Sequence, residues 1–409
     1  MRRVFGGAGC GVARGVALVA AGSLLVSGCS PEGTPDSPEG QFLFVWATDA
    51  DSVDLNFMAV VDADPASPGY GDVLTTLPVP TEGRIRGHHT EHRMPDGGVL
   101  FANDFGTGET YLIDLRNPMA PVLVDSFTTA GPLDSPHSFE RFADGTILAT
   151  FQTSGPGNTT PGGIARLDPT GRMLAFGSAA AGGVEMRPYS LAIVPAVDRV
   201  VTGSADMRGA VDSRAVQIWR ANDLTLLHTL TFPDEWGPAA EPRVLSDGHT
   251  VFVSTFGCAL LRVDGLETGA PTLSRAFDFG GEGCALPVVA GRFWIQAVPG
   301  VNGLVALDMS DPSQPVEAAR LSLSDEDWPH WISLSPDGRR IVVTGYRGTR
   351  HRVLIVDLDP TSGRMTVDAS FGSPDAAEPG ISFDRATWPH GNTGPADPHG
   401  AVFSITPGG

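Results

Sequence analysis

The sequence contains no lysine; all 27 basic residues are arginine. Chemistry that runs through a lysine amine, Schiff bases included, is therefore excluded. Positive charge as a whole is scarce, with 47 acidic residues setting a formal net charge of −20. A surface this negative repels phosphate backbones, which excludes nucleic acid as a partner. No segment keeps a helical hydrophobic period, so the chain is expected to be all-β. Cysteine is also rare, with four residues in 409. What the chain does have is turn chemistry, 51 Gly and 34 Pro, beside 41% hydrophobic residues that can form a core.

Residues 1–28 read as an export signal. Arg2 and Arg3 give a positive start, and Gly11 to Val26 give a short stretch of apolar and small residues. The stretch ends Leu25-Val26-Ser27-Gly28-Cys29, which resembles a bacterial lipobox with Cys29 as the lipidated residue. The alternative is an ordinary cleaved signal with an incidental cysteine. Ser30 follows where a lipoprotein retained at the inner membrane would often carry Asp, so the expectation is an outer-membrane lipoprotein. Residues 29–41 are Pro-, Gly- and acid-rich and suit a flexible tether. Cys10 leaves with the leader, so Cys258 and Cys284 remain. In an exported protein this pair invites a disulfide, with two separate buried thiols as the alternative.

Self-similarity is the strongest internal signal. An apolar run ending at Asp recurs at Asp62, Asp114, Asp168, Asp264, Asp308 and Asp357, with Arg220 in the Asp slot of the fourth unit. The successive spacings are 52, 54, 52, 44, 44 and 49 residues. Between these runs lie tight turns followed by β-rich segments, such as PDGGVLFAND and PDGRRIVVTG. Asp-Gly between apolar runs is a hairpin signal. Seven units of this length predict a seven-bladed β-propeller over 42–409, closed by a strand near 399–405 that joins the first blade.

The histidines fall in a register. His89, His137 and His330 each lie seven residues before the Asp of their Asp-Gly turns, Asp96, Asp144 and Asp337. In a propeller that position starts the innermost strand, at a mouth of the central channel. Tyr189, Glu241 and Cys284 fall near the matching positions of other blades, and His399 fills the slot of the first. His330, His399, His88, His89 and His137 would thus form one arc of candidate metal ligands, suited to copper, zinc or iron. Single histidines of this kind more often just hydrogen-bond across a channel. Glu91, His92 and Glu140 lie one or two strand steps away. His228, His249 and His351 look like surface residues, and His390 has no assigned role.

Several segments resemble the selenium-binding protein / methanethiol oxidase family. They include VVDADPASPGYGDVLTTLPVPTEGRIRGHHTEHR (60–93), PHSFERFADGTILATFQTSGPGNTTPGGIARLD (136–168), FVSTFGCALLRVD (252–264) and GPADPHGAVFS (394–404). The resemblance covers most of the chain after the leader. It implies a β-propeller and a copper enzyme that converts methanethiol and O2 to formaldehyde, hydrogen sulfide and hydrogen peroxide. The family's metal-associated histidines match His88, His89, His137 and His399. The family's His-x-x-His-Cys is His137-Ser138-Phe139-Glu140-Arg141 here, and the cysteines that follow the His pair and the last His are absent. Selenium binding is therefore not carried over.

The expected activity is copper-dependent oxidation of a small thiol by O2, with Glu91 or Glu140 orienting a ligand imidazole or accepting the thiol proton. Its rivals are a non-catalytic metal-binding or protein-interaction propeller and, last, a lactonase-like hydrolase. The leader makes its own prediction. Cys29→Ala should leave unprocessed precursor and abolish incorporation of labelled fatty acid; labelled lipid on the variant would refute the lipobox.

Overall fold

Short apolar runs rich in β-branched and aromatic residues form strands buried on both faces, and Asp- and Gly-bearing turns reverse the chain between them. The computed structural model describes residues 41–80, 87–155, 161–180, 186–209, 214–345, 348–373 and 376–405. The leader, Cys29 and residues 30–40 of the tether lie outside them. The chain is all-β, with seven antiparallel sheets forming a seven-bladed β-propeller. The innermost strands are Ala396–Phe403 in blade one, Gly87–Thr90 in blade two and Leu133–Arg141 in blade three. Blades four to seven contribute Pro188–Val194, Ala239–Val244, Pro287–Ala290 and Pro329–Leu334. Among the described residues, no helix is long and apolar enough to cross a membrane.

The recurring Asp has a local cause. Asp62, Asp114, Asp168 and Asp308 each accept, through Oδ1, the backbone N–H two residues on, at 2.9–3.0 Å. This turn ends the third strand of its blade. Where Arg220 stands in the slot, Asp223 does the same for Thr225. The turn after each innermost strand of blades two to seven needs a positive φ, supplied by Gly98, Gly145, Asp198, Gly248, Gly291 and Gly338. Five of the six are glycine because only glycine takes that region without a steric penalty.

The ring closes between the chain's two ends. Ala396–Phe403 pairs antiparallel with Phe42–Asp49, Leu43 opposite Phe403 and Asp49 opposite Ala396. The expected closing strand, 399–405, thus starts and ends earlier. Ala396, Asp397 and Pro398 already face Asp49, Thr48 and Ala47, while Ser404, just past the strand, donates its N–H to the Phe42 carbonyl and accepts the Phe42 N–H on its hydroxyl. Adjacent blades bury their faces against one another. Phe44, Trp46 and Val402 of blade one, for example, pack with Leu100, Ala102 and Tyr111 of blade two. Each such large apolar side chain contributes about 1.5–3 kcal/mol relative to an exposed one.

Cys258 and Cys284 are joined by a disulfide with a Cα–Cα distance of 5.0 Å. Cys258 lies in the hairpin between Val251–Thr255 and Ala259–Asp264, and Cys284 precedes the innermost strand of blade six. The bond therefore ties blade five to blade six. Leaderless protein in guanidinium should show no free thiol before reduction and two after. Replacing both cysteines with alanine should cost about 3 kcal/mol for a loop of this size. The loss would read as a lower urea midpoint. Free thiol before reduction would refute the bond.

Candidate metal centre

The histidines stand at breaks in the innermost ladders. In blade two, Gly87 faces Asp104 and Thr90 faces Ala102, so His88 and His89 together oppose Asn103 alone. In blade three, Phe139 faces Ala149 and Pro136 faces Phe151, so His137 and Ser138 oppose Thr150. In blade one, His399 and Gly400 oppose Trp46, and in blade seven His330 is a single extra residue between paired Pro329 and Trp331. These are β-bulges, which bend a strand and re-aim its side chains.

The pairing corrects the expected register. His88, not His89, is the partner in position of His137 and His399, because each is the first residue of its bulge. Counting back from the turn misplaces the pair, since blade two carries one more residue between its bulge and Asp96 than blade three does before Asp144.

The bulges bring three imidazoles together. Ligand atoms of His88, His89 and His137 all lie within 4.8 Å of one another. Ring centroids are 4.1 Å apart for His88–His89, 4.4 Å for His89–His137 and 4.9 Å for His88–His137. His399 joins from across the closure, 4.4 Å from His88, with His88 Nδ1 at 3.2 Å from its own Nδ1. His330 lies outside this group, half-buried and 4.8 Å from the His399 ring. The cluster is closed off from solvent. His88 is 4% exposed, and His89 and His137 are fully buried. Tyr189 lies 4.0 Å from the His137 ring, Trp331 5.1 Å from His89 and Phe105 5.9 Å from His88.

Burial holds His89, His137 and His399 neutral. It pushes His137 down to about 3 and His399 to about 4. His89 falls well below the ordinary value through burial first and then through its imidazole neighbours. Neutral imidazole is the ligating form. His137 Nδ1 donates to the Tyr189 carbonyl at 2.7 Å, which leaves the lone pair on Nε2. Nε2 of His137 and of His89 are buried with no hydrogen-bond partner. Buried polar atoms without partners are uncommon, and a metal ion satisfies a pair of this kind. The donor set fits a transition metal.

Sequence reasoning missed the residues that hold the rings. Asn103 Oδ1 accepts the His89 N–H at 2.7 Å, and its Nδ2 donates to the carbonyls of Pro136 and His137. Ser138 Oγ lies 3.1 Å from Nδ1 of both His89 and His137. His399 Nδ1 donates to the His88 carbonyl. Asn103 stood in the quoted PDGGVLFAND, and its place in an apolar run was the available signal.

The two expected carboxylates do not reach an imidazole. Glu91 is held by Arg141, Nε to Oε2 and Nη2 to Oε1 both at 2.7 Å, and by the Phe101 N–H. Glu140 accepts the Ile193 N–H at 3.0 Å. Both line a cavity of about 550 Å³ at the ends of the innermost strands, together with His92, Arg93 and Arg243. Of the remaining histidines, His390 bonds Thr76 Oγ1 at 2.7 Å, His351 bonds Asp384 at 2.6 Å, and His249 is exposed.

No protein-family model matches this chain, and no curated protein matches it. Solved structures do. A hypothetical selenium-binding protein from Sulfolobus tokodaii superposes with a TM-score of 0.72 at 17% identity, covering 90% of this chain and 94% of that one. The periplasmic gluconolactonase PpgL of Pseudomonas aeruginosa superposes with a TM-score of 0.63 at 16% identity, covering 90% and 100%. At such identities the likeness establishes a shared fold alone.

Glu140 supplies a test of the electrostatics. Burial raises its pKa from 4.5 to about 7. Between those values the folded protein holds a proton that the unfolded chain has shed, so stability falls as pH rises through that window. Glu140→Gln keeps an acceptor for Ile193 and removes that slope. Urea unfolding should find the variant more stable than the parent at pH 8, by on the order of 1–3 kcal/mol, and equal to it near pH 4. Parallel pH profiles for the two proteins would contradict the raised pKa.

Proposed function

We propose that this chain is a copper-dependent oxidase of a small thiol, anchored in the outer membrane through Cys29. The observation that carries the reading is the convergence of the buried His88, His89 and His137, with His89 and His137 held neutral and Nε2 of each unpartnered. These three residues would hold the metal. Copper, when bound, would supply one-electron exchange between a thiolate and O2, and its cuprous state tolerates sulfur as well as imidazole. With a methanethiol-type substrate the balanced change is methanethiol, O2 and water to formaldehyde, hydrogen sulfide and hydrogen peroxide.

The protein's own contribution is positioning and exclusion. The Tyr189 carbonyl fixes the tautomer of His137, and Asn103 fixes the backbone of both bulges. Phe105, Tyr189 and Trp331 pack around the rings, which favours reactants as small as a one-carbon thiol and O2. The carboxylate roles expected for Glu91 and Glu140 are left out of this reading, since Arg141 occupies the first and the second bonds Ile193. A propeller that holds metal without turnover is the second reading, favoured by the same burial.

Leaderless protein loaded with copper and dialysed should retain one metal per chain and consume O2 when methanethiol is added. His89→Ala and His137→Ala should lose both properties. Asn103→Ala should weaken metal binding by about 10–100-fold, as partners of ligand residues do. His330→Ala should keep the metal. Retained copper without thiol-dependent O2 uptake would select the non-catalytic reading, and copper retained by both alanine variants would overturn the site.

A further inference from the structure

The cavity at the strand ends is a separate chemical environment from the imidazole cluster. Its walls of Val244, Val288, Val289 and Leu334 are apolar, and Arg93, Arg141 and Arg243 also line it. Two of the arginines are neutralised, Arg141 by Glu91 and Arg243 by Glu241. Arg93 is exposed and forms no ion pair among the described residues. An exposed cation at this wall contrasts with a chain of net charge −20.

His92 adds a directed donor. Arg243 Nη2 lies 3.2 Å from His92 Nε2. A guanidinium only donates, so Nε2 accepts and the proton of the neutral ring sits on Nδ1. That Nδ1–H is buried and has no partner. The ring is held in place by stacking on Trp331, with centroids 4.9 Å apart and planes 12° from parallel. A fixed donor without a partner, an exposed guanidinium with no ion pair among the described residues and an apolar wall are together complementary to a planar anion with a hydrocarbon body.

We propose that this cavity is a second ligand site, for a small organic carboxylate. One carboxylate oxygen accepts from His92 Nδ1–H, the other faces Arg93, and the hydrocarbon body lies on Val244, Val288, Val289 and Leu334. A cation is disfavoured by the arginines. A compact phosphate would leave the apolar wall uncovered and set a higher charge beside Glu91 and Glu140. The site does not depend on the imidazole cluster holding a metal.

Calorimetric titration of the leaderless protein with hexanoate, hexan-1-ol, hexylamine and inorganic phosphate tests this. Hexanoate should bind about tenfold or more tightly than each of the other three. Arg93→Ala should weaken hexanoate by about tenfold or more. His92→Phe, which keeps the stack on Trp331 and deletes the N–H, should do likewise. Thermal midpoint and copper content should stay at parental values in Arg93→Ala, which changes an exposed side chain. Equal binding of hexanoate and hexan-1-ol, phosphate as strong as hexanoate, or undiminished hexanoate binding by Arg93→Ala would each overturn the proposal.

Discussion

The imidazole cluster depends on a side chain that is not a histidine. A β-bulge takes backbone groups out of the ladder, and each buried group left without a partner costs about 1–3 kcal/mol. Asn103, fully buried opposite the His88–His89 bulge, accepts the His89 N–H and donates to the carbonyls of Pro136 and His137. One amide thus satisfies three groups on two blades. Aspartate could not donate to the carbonyls, and leucine of similar size could do neither. Thr150 repeats the device in blade three, accepting the Ser138 N–H and donating to the Tyr189 carbonyl. Thr344 of blade seven donates to the His399 carbonyl across the ring closure. The histidine-bearing segments are therefore held by side chains from second strands, and the ladder supplies only their ends.

This explains what was legible in the sequence and what was not. The seven blades could be read because their signals are local. An Asp that bonds two residues ahead and a residue at positive φ leave a mark within a few positions. The convergence of His88, His137 and His399 could be read in outline for the same reason, since it follows from periodicity. The bulges left no mark of their own, and a single extra residue before Asp96 was enough to exchange His88 and His89 in register. Contacts between distant positions were out of reach. Glu91 was read as a candidate acid–base group, but its partner Arg141 lies 50 residues on and in the next blade. His330 shares the spacing of the others, yet its bulge is one residue rather than two and leaves it half-buried beside His399.

The cluster also runs against what packing alone would favour. Phe105, Tyr189 and Trp331 already line this part of the channel, and more aromatic carbon would fill it without polar atoms to satisfy. Four imidazoles stand there instead. Burial and mutual repulsion hold His89 uncharged, so acidification works against the folded state: an unfolded chain binds protons near the ordinary histidine pKa of 6.5 that the folded one refuses. Hydrogen bonds meet only part of the polar demand, since Nε2 of His89 and of His137 have none. A fold that keeps such a group loses stability by it, and departures from packing logic of this kind concentrate where a ligand restores the balance. A cation shared among His88, His89 and His137 would take up the unpartnered lone pairs and oppose protonation at once. The same features that make the cluster costly to the fold are therefore those that a bound cation would offset.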